Sequence, residues 1–203
     1  MGLVNNRSLR SRCAGVGIFS PQKVKAYGVQ GVIARASGVV VDSRLGLGYA
    51  PYACYPALAL TTFIGVKGDA YERFIVRARE MLESFALIAQ LLAPLAQSVK
   101  PTYNSTSRAK FVSMEGVITH FKGTTSAVPV AALGQSVGVV EGPKGLVGVS
   151  VVAAGLASPY RFQVRSPVAH NLHLLSTCAN GYTFADFVTT FCSLDVVLGE
   201  IDR

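Results

Sequence analysis

The chain has 203 residues, of which half are hydrophobic and only 15% charged, with a formal net charge of +8, a pI near 9.5 and a mean hydropathy of +0.40. Soluble domains usually carry about 25% charged residues, so a free globule of this composition lacks polar covering, and either a membrane or protein partners must supply it. A membrane span needs about 20 largely apolar residues, whereas FALIAQLLAPLAQSV (85–99) holds Gln90 and Gln97 and is broken by Pro94, and VGVSVVAAGLASPY (147–160) is shorter still. Both read as buried elements of a subunit in a large assembly.

Residues 1–44 carry seven basic residues (Arg7, Arg10, Arg12, Lys23, Lys25, Arg35, Arg44) against one acid, Asp42. Such a start fits a mitochondrial transit peptide, a nucleic-acid-binding arm or ordinary fold sequence with a basic face. MGLVNN lacks the Ser or Thr that myristoylation needs at its sixth position. Over 1–66, Gly and β-branched residues are dense and no helical period is sustained, so this segment reads as irregular and β-rich. The exception is SPQKVKAY (20–27), where Ser20 can cap and Pro21 suits the first helical turn.

Residues 69–98 give the strongest helix. Ile75, Met81, Leu82, Phe85, Ile88, Leu91, Leu92 and Leu95 recur at spacings of three, four and seven, with the charged residues mostly off that stripe; Pro94 is expected to kink or end it. After the polar linker KPTYNSTSR comes a short helix over 113–123, capped by Ser113, with Glu115 near its positive end and Gly123 as its stop. From 135 to 165 the alternation predicts antiparallel strands with turns at 142–145 and 155–159. Residues 168–194 read as two short helices split at Asn180-Gly181, followed by SLDVVLGEIDR, which places three of the eleven acids (Asp195, Glu200, Asp202) in the last nine residues.

Apparent chemical motifs do not complete a site. GQSVG (134–138) has the spacing of a nucleophile elbow, but a strand follows it in place of a helix, and no His lies beyond Asp186. His170 and His173 can share a helical turn, yet no Cys or acid at matching spacing completes a ligand set. His120 in ITHFK reads as a structural hydrogen-bonder. EGPKG needs only a hairpin turn to explain it, and no glycine-rich nucleotide loop is visible. Cys13, Cys54, Cys178 and Cys192 are scattered without a C-x-x-C, which supports neither zinc nor an iron–sulfur cluster and predicts isolated, buried thiols.

NNRSLRSRCAGVGIFSPQKVKAYGVQGVIARASGV, KGDAYERFIVRAREML, SMEGVITHFK, VEGPKGLVGV, PYRFQVRSP and SLDVVLGEIDR occur in one order. Together they resemble the C-terminal half of the quinone-site core subunit of respiratory complex I (NADH dehydrogenase subunit 7), a family related to the large subunit of nickel–iron hydrogenases. The likeness runs from about Asn5 to Arg203. It implies an α+β fold, mainly helical with an antiparallel β-hairpin region, in the manner of the C-terminal half of the hydrogenase large subunit, as a single half-domain over 1–203. Within it, 168–203 would hold terminal helices and a C-terminus packed inside, ending at Arg203. Basic residues near the N-terminus would then pair its carboxylates.

The resemblance further implies a subunit of mitochondrial NADH:ubiquinone oxidoreductase, in the matrix-facing peripheral arm of the inner-membrane complex, coupling electron transfer to proton pumping. Ubiquinone would occupy a shared cavity at Asp195 and Val197, next to an iron–sulfur cluster in the adjacent subunit. This chain alone would bind no cofactor or metal and hold no complete set of catalytic residues. Where the hydrogenases place a pair of metal-ligating cysteines, only Cys192 is near. Implied partners are the cluster-bearing quinone-site subunit, other peripheral-arm core subunits, the heel subunit of the membrane arm, and a separate chain carrying the absent N-terminal half. No nucleic acid and no direct membrane span are expected. Departures include Ala70 for a family Cys, Tyr182 for a family His, and Asn171 where a His is expected. Two other readings are a structural remnant of the same subunit and a basic mitochondrial ribosomal or RNA-binding protein. RNA binders interleave clustered Lys and Arg with aromatics, whereas 111–160 hold only Lys122 and Lys144 and no Arg.

Overall fold

A computed structural model describes residues 6–45, 52, 54–98, 113–126, 133–156, 158–178 and 180–202. They form two compact units, the first comprising Met1–Leu91, Val139–Gly148 and Arg165–Arg203, the second Leu92–Gly138 and Val149–Val164.

The basic N-terminal region is a series of short helices, α1 (Arg7–Cys13), α2 (Pro21–Ala26) and α3 (Val32–Ala36). Asn6 caps α1 by accepting from the Ser8 and Leu9 amides, and Ser20 caps α2 by accepting from the Lys23 amide ahead of Pro21. The described residues of 1–66 contain no strand, which corrects the β-rich expectation. Helices of five to seven residues span at most two turns, too few for a 3.6-residue period to register against their glycine-rich connections. Their β-branched residues are instead the core of the first unit. Phe19, Val24, Val29, Ile33 and Val39 pack with Leu174, Cys178 and Leu194, and Val32 and Ala36 pack with Val76.

The long helix α4 spans Ala70–Ser98. Asp69 fixes its start, taking the Glu72 amide on Oδ1 at 2.7 Å and the Gly15 amide on Oδ2 at 2.9 Å. Pro94 does not end it, since proline forfeits one intrahelical bond and the backbone continues for four more residues. The apolar stripe expected to be buried is largely open in this chain: Met81 is 62% exposed, Phe85 68% and Ile88 52%, while Val76 and Leu87 on the far side are buried.

In the second unit α5 covers Met114–Ser126, with the Gly116 amide donating to Ser113 Oγ. It passes through Gly123, whose cost of about 1 kcal/mol against Ala is too small to stop a helix by itself. A three-stranded antiparallel sheet follows, β1 (Gly134–Gly142), β2 (Gly145–Ala153) and β3 (Arg161–Arg165), in the order β1-β2-β3. Its β1–β2 turn at Pro143-Lys144 belongs to the first unit. There too lie α6 (Pro167–Cys178), α7 (Phe184–Ser193, capped by Thr183) and the short α8 (Leu198–Ile201). Burial ends at Leu194; Val197 is 42% exposed and Leu198 73%, so within this chain the C-terminus is not packed inside. Of the cysteines only Cys178 is fully buried, and Cys54 and Cys192 are exposed because a turn and an outward helical position carry them.

Two left-handed glycines allow a test of the first unit. A Cβ on Gly31 (φ 72°) would lie 2.6 Å from Gly145 Cα and Lys144 O, whereas one on Gly28 (φ 63°) would meet nothing within 4 Å. Gly28→Ala should cost only the backbone strain, about 1–2 kcal/mol. Gly31→Ala must also push the β-turn away from α3 and should cost clearly more. Faster limited proteolysis around α3 in Gly31→Ala than in Gly28→Ala is the expected result.

Candidate functional site

Arg73 and Arg77 lie one turn apart on α4 and both reach the end of α7. Arg73 is fully buried. Its Nε and Nη2 donate to Ser193 Oγ (3.0 and 2.8 Å) and its Nη1 to the carbonyls of Gly17 and Gly68 (3.0 and 2.8 Å), with the guanidinium carbon 4.7 Å from the Phe19 ring centre. Burial lowers its pKa to about 10, reinforced by the like charge of Arg77 and opposed by Asp69. Arg77 Nη1 donates to the Ser193 carbonyl at 2.9 Å. Burial lowers this arginine too, while the charges of Asp195 and Glu80 hold it up.

These clamps determine where Asp195 sits. Leu194 caps α7, and Asp195 follows at φ 55°, the one non-glycine residue with positive φ among those described. Left-handed residues routinely terminate helices, and the short polar side chain of Asp tolerates the conformation. The chain therefore turns sharply at Asp195, with Ser193 held from both sides by arginine.

A second arginine gathers acids from separate elements. Arg35, 3% exposed, lies in the last turn of α3. Its Nε donates to Glu80 Oε1 at 2.7 Å, and its Nη1 to Glu141 Oε1 at 3.2 Å and to the Val41 carbonyl at 3.0 Å, with Asp42 Oδ2 at 4.0 Å. Ser43 Oγ donates to the other Glu141 oxygen, and Arg44 binds Asp42 through Nε at 2.9 Å and Nη2 at 2.6 Å. Burial by itself would raise the Asp42 carboxyl, but the hydrogen bonds and charge of Arg44, helped by Arg35, outweigh it and hold the group below its ordinary value. Three carboxylates against two guanidiniums leave this cluster with one negative charge in excess.

Between the two arginine systems lies a cavity of about 780 Å³. Phe74, Met81, Leu82, Phe85 and Pro143 make it apolar, while Arg35, Arg44, Arg77, Glu80, Glu141 and Asp195 bring charge to it. Its size is that of a small-molecule site, and its mixture of an apolar wall with a few fixed polar groups suits a largely apolar ligand bearing polar atoms. Asp195 lines it and is exposed; Val197, two residues on, is not among the lining residues.

The other sequence candidates lie elsewhere. GQSVG is part of the exposed β1, with no helix after it. His170 Nδ1 is 3.4 Å from the Ser166 carbonyl, His173 and His120 are exposed on their helices, and no group of three or more metal-ligating residues occurs among the described residues. Asn171 is buried and donates weakly to the Lys144 carbonyl (3.5 Å). Among the described residues, basic groups from outside the N-terminal region reach the C-terminal carboxylates. Glu200 is 3.5 Å from Lys144 Nζ and accepts from Ser166 Oγ at 2.8 Å, and Asp195 sits in the field of Arg77, because the β1–β2 turn and α4 are the elements that reach them. No helix among the described residues is long and apolar enough to cross a membrane.

The family model for the respiratory-chain NADH dehydrogenase 49 Kd subunit matches residues 2–203. The chain is similar to an NADH-quinone oxidoreductase subunit of Dechloromonas aromatica, at 35% identity over 99% of this chain and 49% of the relative. It is also similar to the same subunit of a Chelativorans species, at 36% over 99% and 52%. The NADH-ubiquinone oxidoreductase 49 kDa subunit of Nyctotherus ovalis is 35% identical over 100% of this chain and 50% of the relative. The chain thus spans about half the length of the curated relatives it matches.

The charge cluster makes a prediction of its own. Arg35→Met removes the cation that Glu80 and Glu141 share and should destabilise the first unit by roughly 3–5 kcal/mol, the usual cost of stranding buried charge. Since the Asp42 carboxyl titrates low in the fold, its contribution is present above the ordinary carboxylate pKa and disappears as pH falls through the lowered one. Hydrogen exchange at α3 and the first half of α4 should show weaker protection in Arg35→Met, and in the parent chain a loss of protection on acidification that Arg44→Met reduces.

Proposed function

The chain belongs to the respiratory-chain NADH dehydrogenase 49 Kd subunit family, and from that premise we propose that it is the C-terminal half of the quinone-site core subunit of complex I. In this reading it shares a hydrogenase-large-subunit-like fold, lies in the matrix-facing peripheral arm of the mitochondrial complex, and helps form the cavity in which ubiquinone is reduced. The iron–sulfur cluster that delivers electrons is held by the neighbouring quinone-site subunit. Other peripheral-arm subunits and the heel of the membrane arm complete the surroundings. The presence of a eukaryotic relative, from Nyctotherus ovalis, supports the mitochondrial assignment. A family match that covers nearly the whole chain leaves the RNA-binding alternative without support.

The observation that carries the proposal is the cavity beside Asp195. A quinone presents a flat apolar ring and tail with two carbonyl oxygens. Phe74, Met81, Leu82 and Phe85 offer an apolar wall to the first, and Arg77 and Asp195 bring opposite charges to the second. A bound quinone supplies the electron-accepting chemistry, which is the cofactor's own. The chain contributes position and field. Arg73 and Arg77 hold Ser193 by its hydroxyl and its carbonyl, so that Asp195 enters the cavity from a fixed backbone. A carboxylate there resists the arrival of further negative charge and favours the arrival of protons, so the protonation of the cavity is coupled to the redox state of its occupant.

Asp195→Asn tests this with little change in shape, because Asn also tolerates a left-handed backbone. In the assembled complex it should lower quinone-dependent NADH oxidation on the order of tenfold, equivalent to about 1.4 kcal/mol. NADH oxidation by artificial acceptors that take electrons upstream should be little changed. Equal loss of both activities would point to failed assembly and a structural role; loss of neither would remove Asp195 from the site.

A further inference from the structure

We infer that Glu80 is a positioning residue for the proposed reaction: it divides the charge of Arg77 with Asp195, and so sets how firmly the cavity keeps Asp195 as a carboxylate. The inference rests on the reading of that cavity as the quinone site. Glu80 follows Arg77 by three residues on α4, a spacing that puts both side chains on one face of the helix. Both line the cavity, as does Asp195. Arg77 therefore stands between two acids, one on its own helix and one on the segment after α7.

The cation of Arg77 is committed only in part. Its Nη1 donates to the Ser193 carbonyl at 2.9 Å, which holds the guanidinium against the backbone two residues before Asp195. Burial weakens its grip on its proton, and the charges of Asp195 and then of Glu80 strengthen it. Glu80 is divided as well, since its Oε1 accepts from Arg35 Nε at 2.7 Å. Arg35 draws Glu80 toward α3 and leaves the larger share of Arg77 to Asp195. Charges of alternating sign thus run from Asp195 through Arg77, Glu80 and Arg35 to Glu141.

A role as counter-ion to Arg35 does not by itself account for Glu80. Glu141 lies 3.2 Å from Arg35 Nη1 and Asp42 4.0 Å, so the buried cation has acids enough without a third. Glu141 and Asp42 are enclosed, at 4% and 1% side-chain exposure, whereas Glu80 is 19% exposed and is the most open acid of the three. The other charges around the cavity are fixed by partners of their own: Arg44 by Asp42, and Arg73, behind Ser193, by Gly17, Gly68 and the Ser193 hydroxyl. Lys144 and Glu200 pair with each other and are not among the lining residues. Neutralising Glu80 would remove a charge that repels the Asp195 carboxylate and hand it the whole of Arg77. Neutralising Arg77 would do the opposite.

The pH profile of quinone-dependent NADH oxidation in the assembled complex tests the inference, with the rate at each pH divided by the rate to an artificial acceptor upstream. A step that needs the Asp195 carboxylate slows on acidification. Glu80→Gln keeps the side chain's size and an oxygen for Arg35, and should move that fall to lower pH by roughly half a unit or more. Arg77→Gln should move it to higher pH, and the charge-conserving Glu80→Asp and Arg77→Lys should largely keep the parental profile. In an Asp195→Asn background, Glu80→Gln should move nothing. An unmoved profile in Glu80→Gln, a shift in the same direction as Arg77→Gln, or a shift that survives in Asp195→Asn would overturn the role of Glu80 and leave the cavity reading intact. Failed assembly of Glu80→Gln beside normal assembly of Glu80→Asp would also overturn it, making Glu80 a structural counter-ion. Parental activity and profile in Asp195→Asn would overturn both.

Discussion

A single buried guanidinium organises the site. Arg73 has no exposure to water, and removing such an ion from solvent costs several kcal/mol. Four hydrogen bonds to oxygen atoms of Gly17, Gly68 and Ser193, together with the face of Phe19, offset that cost. The partners come from three separate parts of the chain: the loop after α1, the entry to α4 and the last turn of α7. None of these can move without stranding a charge. The clamp thereby fixes the register of the C-terminal segment against α4, and Asp195 follows two residues beyond the anchored Ser193.

Arg35 acts in the same way at the other side of the cavity. It joins α3, α4 and the end of β1 through Glu80 and Glu141, and Arg44 with Asp42 closes the group. Both systems use arginine, whose planar fork can serve several acceptors at once and does not lose its proton at ordinary pH. Between them the cavity wall is left to Phe74, Met81, Leu82 and Phe85, so fixed charge borders an apolar space. That division of labour suits a redox site, where the field must be set in advance and the electron acceptor is an apolar cofactor.

Much of the architecture is legible in the sequence because it is periodic. The three-and-four spacing of 69–98 marks α4, the alternation over 135–165 marks the strands, and Ser20-Pro21 announces a helix start by capping chemistry. The short helices α1 and α3 are not legible, since neither a helix of at most two turns nor its glycine connections leave a period. The direction of the α4 stripe is hidden as well. Periodicity shows that these residues share a face but not what covers it; the core of this chain uses Val76 and Leu87, and the stripe faces outward. Asp195 is reached through resemblance alone. The arginines that position it escape a reading of motifs, although signals exist: Arg35 is the only charge in GVIARASGVV, and Arg73 and Arg77 sit four apart with Phe74 and Val76 between them. A charge alone within an apolar run announces a buried anchor more reliably than a surface residue.

The apolar wall and opposite charges of the cavity beside Asp195 are what fit it to a quinone. The most direct measurement is photoaffinity labelling of the intact respiratory complex with an azido-ubiquinone, followed by mapping of the labelled peptides. A quinone held beside Asp195 should leave adducts on this chain within 74–85 or 193–197, suppressed by excess ubiquinone. Labelling that ubiquinone suppresses on other subunits, with none on those two segments, would contradict it.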